Sequence, residues 1–269
     1  MDGYDPEKWI YYLLKENYRS AVFPLSYDAD EGLIKDYVKA ANENDILIAE
    51  VGAWSNPISK DLQVRKAAIE HCKKQLELAE MVGARCCVNI AGSRGEQWDG
   101  PAAENFTSET FELIVDSIRE IIDTVKPKRT FYTLETMPWI FPDCAESYLE
   151  LIKAVDRKEF AVHFDPVNMI TSPRVYYRNG EMIKEFIAKL GPFIKSCHAK
   201  DIIMSANFMV HLDETSPGAG ILDYKVLLYE LNKLDRDMPI ILEHLSNEKE
   251  YRNAAAYIRN VAKELNIPI

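Results

Sequence analysis

The sequence predicts a single-domain α/β protein, a (β/α)8 TIM barrel over residues 1–269, whose first strand is short or missing. Short apolar runs rich in β-branched and aromatic residues alternate with longer stretches of helical periodicity, which is the pattern of βαβ units in a parallel sheet. No linker, low-complexity tract or internal repeat divides the chain, and α/β barrels commonly reach this length as one domain. Several of the apolar runs also end in a charged residue.

Seven apolar runs predict strands, and a stretch of helical periodicity follows each of them. In chain order the predicted strands cover residues 20–25, 46–54, 84–90, 130–136, 160–165, 194–201 and 239–244. The best-marked helix covers 108–125, with Ser108 as its expected N-cap. A helix is also predicted over 6–18, where a first strand would be expected to lead in. Either a very short strand occupies residues 1–4 or the first strand is missing.

The charge and cysteine content narrow the class of function. A net charge of −11 disfavours nucleic acid and anionic membrane, because both bind basic surfaces. No apolar run approaches the ~20 residues that cross a bilayer, and the acidic start does not resemble a signal peptide. Five cysteines with no CxxC pair argue against a disulfide framework or a thiolate zinc site. We therefore expect a cytoplasmic protein with a small-molecule substrate.

Four of the predicted strands end in a residue that can bind a metal. These residues are Glu135, Asp165, His198 and Glu243. The strand ends of a parallel α/β barrel meet at one rim, where three carboxylates would repel each other unless a cation neutralised them. Oxygen ligands with one nitrogen favour Mn²⁺, with Mg²⁺, Co²⁺ or Zn²⁺ as alternatives. One such carboxylate alone would usually be solvated or cap a helix, whereas four agreeing positions predict a site for one divalent ion.

Six short segments, spread over nearly the whole chain, keep a recognisable order and spacing. The segments are Ile48-Ala49-Glu50-Val51-Gly52, Thr133-Leu134-Glu135, His163-Phe164-Asp165-Pro166-Val167-Asn168, His198-Ala199-Lys200-Asp201, Pro217-Gly218-Ala219-Gly220-Ile221-Leu222-Asp223-Tyr224 and Leu242-Glu243-His244. Their order and spacing resemble the xylose-isomerase-like barrel superfamily of sugar isomerases and epimerases.

The resemblance to D-tagatose 3-epimerase-like members implies a metal-dependent isomerase or epimerase that acts on a sugar or a sugar-derived substrate. It implies Glu135, Asp165, His198 and Glu243 as the metal ligands, and the two glutamates as the catalytic acid/base pair. The metal would polarise a carbonyl and lower the cost of the enediolate that forms when a neighbouring carbon loses its proton. A homo-oligomer is also implied. Those epimerases often carry a histidine where this chain has Asn168, a change that preserves a substrate contact but not a proton role.

Five residues are expected to contact the substrate: Lys200, Asn168, His211, Trp98 and Trp54. Lys200 faces the same side of a regular strand as the predicted histidine ligand, and the alternative is a salt bridge to a loop acid. For His211 the alternative is an ordinary surface histidine. Trp54 and Trp98 follow predicted strands and either form a wall against a sugar face or cover the core.

Other functions stay open at this point. Some superfamily members are lyases or dehydratases of 3-keto-glycosides or inososes, and they begin with the same proton abstraction. A non-catalytic sugar-binding subunit is a further alternative. An endonuclease-type role is disfavoured, because it needs extra histidines and basic surface, whereas this chain has five histidines and an excess of acid.

Overall fold

A computed structural model describes residues 5–269. The chain divides into two compact units, one of Met1–Leu134 with Ala154–Ala161 and the other of Glu135–Lys153 with Val162–Ile269. Within the described residues seven strands pair in parallel, four in the first unit and three in the second. The α/β class is confirmed, and a parallel strand lies within each of the seven predicted ranges. One domain over 1–269 stays a prediction, and a strand at residues 1–4 would lie outside the described residues.

The first unit alternates helices and strands. Its elements are α1 Pro6–Lys15, β1 Ser20–Val22, α2 Glu31–Glu43, β2 Leu47–Gly52, α3 Leu62–Val82, β3 Cys86–Asn89, α4 Ser108–Val125 and β4 Phe131–Glu135. The four strands lie in the order β1-β2-β3-β4, and each is parallel to the next. Buried aliphatic side chains from the strands and from α3 and α4 form the core of this unit.

Helix ends in the first unit follow local capping chemistry, with two corrections to the sequence predictions. The N-cap of α4 is Thr107, not Ser108: Thr107 has an extended backbone and accepts a hydrogen bond from the N–H of Thr110, so Ser108 is already the first helical residue. Helix α1 ends at Lys15 rather than at residue 18, because Asn17 adopts a left-handed conformation with φ 59°.

Residues 5–269 contain no helix with the length and apolar character of a membrane span.

The second unit carries the remaining elements. They are α5 Ala145–Val155, β5 Phe160–Phe164, α6 Pro173–Tyr176, α7 Asn179–Leu190, β6 Ile194–Ala199, β7 Asp201–Met204, β8 Leu212–Thr215, α8 Tyr224–Leu231, β9 Ile240–Leu242 and α9 Glu248–Glu264. Strands β5, β6 and β9 are neighbours in that order and run parallel, with Phe164 beside Cys197 and Ala199 beside Leu242. This register places the carboxyl ends of three strands side by side.

A β-hairpin in the second unit is absent from the sequence predictions. Strands β7 and β8 pair antiparallel, from Asp201 opposite Thr215 to Met204 opposite Leu212. The strand predicted over 194–201 is therefore two strands, β6 and β7, separated at Lys200. Regular pairing ends at Lys200 because the chain leaves the parallel sheet there and pairs with β8 instead.

Candidate metal centre

The second unit brings the four predicted metal ligands together. Glu135 ends β4, Asp165 follows β5, His198 lies in β6 and Glu243 follows β9. One ligand atom from each side chain lies within 4.8 Å of the corresponding atoms of the other three. Glu135, Asp165 and His198 are buried, with exposed fractions of 4%, 0% and 1%. Their roles as ligands stay a prediction, but the clustering on which that prediction depends is present.

Two basic side chains face the same three carboxylate oxygens. His198 Nδ1 lies 2.9 Å from Glu243 Oε2, 3.3 Å from Glu135 Oε1 and 3.5 Å from Asp165 Oδ2. Lys200 Nζ lies 2.7 Å from Glu243 Oε2, 2.9 Å from Asp165 Oδ2 and 3.4 Å from Glu135 Oε1. The three oxygens thus point at a common centre, where positive charge stabilises them.

The donor set fits a divalent ion. Asp165 Oδ1 accepts hydrogen bonds from the backbone N–H groups of Val167 (2.9 Å) and Asn168 (3.2 Å), which hold the carboxylate in place. Asp165 Oδ2 and Glu243 Oε2 are buried and accept no well-directed hydrogen bond from the described residues. Oxygen ligands bind Mg²⁺ at ~2.0–2.1 Å, so opposite ligands of one ion lie roughly 4.2 Å apart. Three carboxylates and an imidazole with this spacing are suitable ligands for such an ion.

The pKa values of the two glutamates in the cluster are shifted in opposite directions. Burial raises the pKa of Glu135 above its usual value, although His198 and Lys200 oppose the increase. Burial acts in the same direction on Glu243, but the close approach of His198 and the charge of Lys200 outweigh it and lower the pKa of Glu243 to about 2. The contacts of His198 and Lys200 therefore outweigh burial at Glu243 but not at Glu135.

Two of the predicted substrate-binding residues belong to this cluster. The Asn168 side chain donates a hydrogen bond of 2.8 Å to Glu135 Oε1. Lys200 contacts Glu135, Asp165 and Glu243, as expected for a side chain on the same face as His198, and its side chain is only 3% exposed. Both residues therefore orient the candidate ligands, whatever contact they make with a substrate.

Of the other three predicted substrate-binding residues, one lies on the hairpin of the second unit and two lie in the first unit. His211 is exposed at the turn of the β7–β8 hairpin, next to the Met204–Leu212 pair, and at ~3.3 Å per residue this places it roughly 13 Å from Lys200 along the hairpin. Trp54 and Trp98 belong to the first unit, and both rings are exposed there. Substrate contacts by these three residues stay predictions.

His163 supports the neighbouring histidine from the core. The side chain is fully buried, and Nδ1 lies 2.6 Å from the hydroxyl oxygen of Ser196. The rings of His163 and His198 pack edge to face with centroids 4.0 Å apart. His163 is therefore a buried, hydrogen-bonded histidine whose ring packs against that of His198.

Two residues beside the cluster were missed by the sequence analysis. His244 Nδ1 lies 3.1 Å from both carboxylate oxygens of Glu214, and His244 Nε2 lies 3.4 Å from Glu243 Oε1. Glu214 Oε2 is in turn 3.9 Å from Lys200 Nζ. The position of His244 directly after Glu243 was a usable signal. No sequence signal marked Glu214, because the hairpin that carries it was not predicted.

Comparison with solved structures shows the fold of the whole chain. D-psicose 3-epimerase with D-tagatose from Clostridium cellulolyticum H10 superposes with a TM-score of 0.70 at 16% identity, over 97% of this chain and 94% of that one. The probable 3-DHS dehydratase AsbF from Bacillus anthracis gives 0.71 at 16% identity, over 95% and 93%. A xylose isomerase-like TIM barrel protein from Mycobacterium smegmatis, in complex with magnesium, gives 0.70 at 14%, over 98% and 90%.

Comparison of the sequence itself gives the family. No curated protein sequence matches the chain. The family model described as "Xylose isomerase-like TIM barrel" matches residues 13–261, which is most of the chain. The predicted (β/α)8 fold class and the superfamily resemblance are thereby confirmed. The chain belongs to the xylose isomerase-like TIM barrel family.

Proposed function

We propose that this protein is a divalent-metal-dependent sugar isomerase or epimerase. The observation that carries the proposal is the convergence of Glu135, Asp165, His198 and Glu243, whose ligand atoms lie within 4.8 Å of one another. Mn²⁺ is the ion that we expect first, with Mg²⁺, Co²⁺ or Zn²⁺ as alternatives. The magnesium complex of the Mycobacterium smegmatis protein supports a divalent ion in this fold.

Proton transfer is assigned to the two glutamates. Glu243, whose pKa is lowered, is ionised at neutral pH and accepts the proton from the carbon next to the substrate carbonyl. Glu135, the other glutamate of the pair, returns a proton to the resulting enediolate. The bound ion would polarise the carbonyl and so lower the free energy of the enediolate. Return of the proton to the opposite face inverts the carbon, and return to the neighbouring carbon isomerises the sugar.

Two other side chains position Glu135 and His198 in this scheme. The Asn168 side-chain amide holds Glu135 Oε1 at 2.8 Å and fixes the direction in which this carboxyl faces. His163 holds the ring of His198 by an edge-to-face contact. These contacts restrict side-chain rotation before a substrate arrives, which reduces the entropy lost in reaching the transition state.

A dehydratase is the second candidate. The probable 3-DHS dehydratase AsbF has the same fold with a TM-score of 0.71, and loss of water from a keto-substrate can begin with the same abstraction of a proton beside a carbonyl. Asn168 bears on both candidates, because an amide cannot supply the proton that a histidine at that position could transfer.

Product analysis in D₂O tests the proposal. The Mn²⁺-loaded protein is incubated with D-fructose, D-psicose and D-tagatose, and the products are followed by NMR. We expect an epimer or isomer with deuterium at the reacting carbon. Glu243→Gln should lower the rate by ~10²–10⁴-fold. The matched control is Glu80→Gln, which changes a carboxylate that accepts hydrogen bonds from the backbone of residues 128–130 in the first unit.

The outcomes separate the two candidates. Release of water from a keto-acid or inosose substrate, with no epimer from free ketohexoses, would replace the isomerase by the dehydratase. Unchanged turnover in Glu243→Gln would contradict the acid/base assignment in both.

A further inference from the structure

Lys200 presents a positive charge to the oxygens that a metal would use. Its Nζ lies 2.7 Å from Glu243 Oε2 and 2.9 Å from Asp165 Oδ2, the two buried oxygens that accept no well-directed hydrogen bond. It also lies 3.4 Å from Glu135 Oε1. With 3% of its side chain exposed, the ammonium group can find little compensation from solvent.

A divalent ion and this ammonium group compete for the same lone pairs. An ion at ~2.0–2.2 Å from the three oxygens would lie within a few ångströms of Nζ, where two positive charges repel each other strongly in a buried site. Binding of the ion therefore requires that Nζ move away.

The carboxylate of Glu214, which is outside the cluster, lies close enough to Nζ to become its new partner. Glu214 Oε2 in β8 lies 3.9 Å from Nζ, and its side chain is 35% exposed. A shift of roughly 1 Å would bring the two atoms to a normal charge-assisted distance of ~2.7–2.9 Å. The lysine side chain has four rotatable bonds, so this shift needs no movement of the backbone. His244 holds the Glu214 carboxylate by contacts of 3.1 Å.

We propose that Lys200 is a tethered competitor of the metal, which neutralises Asp165, Glu135 and Glu243 when no ion is bound and moves to Glu214 when an ion binds. The proposal rests on the metal site of the proposed function and deepens it. It assigns to Glu214, which is not among the predicted ligands, a role in metal affinity. The affinity for the metal ion then depends on displacement of the Lys200 ammonium group as well as on the four ligands.

Calorimetric titration with MnCl₂ on the EDTA-treated full chain tests the exchange. Lys200→Met removes the competitor and should tighten Mn²⁺ binding by at least about tenfold, since the repulsion of a nearby charge disappears. Glu214→Gln removes the second position and should weaken binding by roughly three- to tenfold. Lys189→Met is the matched control: Lys189 is also paired with two carboxylates, Glu146 and Glu185, neither of which is a candidate ligand, and its loss should leave the Mn²⁺ affinity unchanged.

Thermal unfolding supplies a second readout. Without metal, Lys200→Met should melt at a lower temperature than the wild type, because three close carboxylates lose their counter-charge, and Mn²⁺ should raise its melting temperature by more than it raises that of the wild type. Equal or weaker Mn²⁺ binding by Lys200→Met overturns the proposal. If this variant does not fold, equal or tighter binding by Glu214→Gln overturns it.

These outcomes are distinct from failure of the proposed function. Absence of Mn²⁺ binding by the wild type would remove the metal site and this inference together. Binding by the wild type at the four ligands, without tighter binding by Lys200→Met, would remove only the inference.

Discussion

Lys200 and Asp201 are adjacent in the sequence and both are buried, but their charged groups have different surroundings. Asp201 accepts hydrogen bonds from the backbone N–H groups of Ile202 and Gly218 (2.9 Å each), Gly220 (3.1 Å) and Leu222 (2.8 Å). We call this set of contacts the loop clamp. One residue earlier, Lys200 belongs to the acid cluster formed with Glu135, Asp165, His198 and Glu243. The carboxylate of the clamp is saturated by fixed backbone donors, whereas the carboxylates of the cluster face movable cations.

The difference separates a structural charge from a functional one. A carboxylate saturated by four N–H donors has no lone pair left for a ligand and serves to fix the loop between β8 and α8. Two glycines let this loop approach the carboxylate closely, since Gly218 has φ 91° and a Cβ on Gly220 would overlap the Asp201 side chain. Asp165, by contrast, uses one oxygen for backbone donors and leaves the other for the cluster. Burial alone does not distinguish the two aspartates; the source of their hydrogen bonds does.

The largest expected effect on stability is at the clamp. Asp201→Ala should lower the free energy of unfolding by about 3 kcal/mol, because several part-buried N–H groups lose their acceptor and only some regain one from water. Urea denaturation in EDTA measures it. Asp223→Ala, which removes the single N-cap hydrogen bond to Val226, is the control and should cost about 1 kcal/mol. Equal losses in the two variants would show that the clamp is no more than an ordinary cap.

In the metal-free protein, the acid cluster should make the free energy of unfolding depend on pH. The pKa of Glu243 is lowered from 4.5 to about 2 in the folded protein, so the unfolded chain binds more protons between these values and stability is lost as the pH falls through that window. His198 has a pKa raised well above 6.5, so its contribution is complete below 6.5 and is lost as the pH rises. The combined contribution of Glu243 and His198 should therefore be greatest between about pH 4.5 and 6.5, whereas the raised pKa of Glu135 acts against it as the pH rises above 4.5.

Chemical denaturation of EDTA-treated protein across this range checks the pH prediction. Glu243→Gln should flatten part of the acid side of the profile, since it removes one of the two cluster carboxylates whose pKa is lowered. The other is Asp165, where the charge of Lys200 and the contact with His198 outweigh burial. A profile that Glu243→Gln leaves unchanged would show that Glu243 does not contribute to the acid slope.

The smallest expected effect is the difference in stability loss between variants of two asparagines. Asn179 in α7 makes three hydrogen bonds: it donates to the carbonyls of Tyr176 and Ile221 and accepts from the N–H of Asp223. Asn179→Ala should cost about 2 kcal/mol, whereas Asn168→Ala, which loses one bond to Glu135, should cost about 1 kcal/mol or less. Thermal melts of the two variants make the comparison. A larger loss for Asn168→Ala would mean that the cluster is primarily structural.

Much of this arrangement could be predicted from the sequence, because it depends on short-range patterns. Apolar runs defined the strands, and the rule that parallel strands present their carboxyl ends together was enough to group Glu135, Asp165, His198 and Glu243. Helix α4 was predicted to the residue, because its apolar residues recur at helical spacing from the first turn to the last.

The features that were not predicted depend on contacts between residues far apart in the sequence, which no local pattern indicates. The β7–β8 hairpin was not predicted, because Leu212–Thr215 is short and mostly polar and has no apolar alternation. The clamp joins Asp201 to glycines 17 and 19 positions away through backbone N–H groups, which no side-chain pattern reveals. The contact of Lys200 with three acids likewise arises only when separate strand ends meet.

The most direct test of the metal centre is a Mn²⁺-soaked crystal examined by anomalous scattering. We expect one strong peak per chain, within ~2.0–2.2 Å of oxygens from Glu135, Asp165 and Glu243 and of a nitrogen of His198. We also expect the Asp201 carboxylate to keep its four backbone donors and to bind no ion. A peak at the clamp, or no peak among the four ligands at saturating Mn²⁺, would contradict the metal centre.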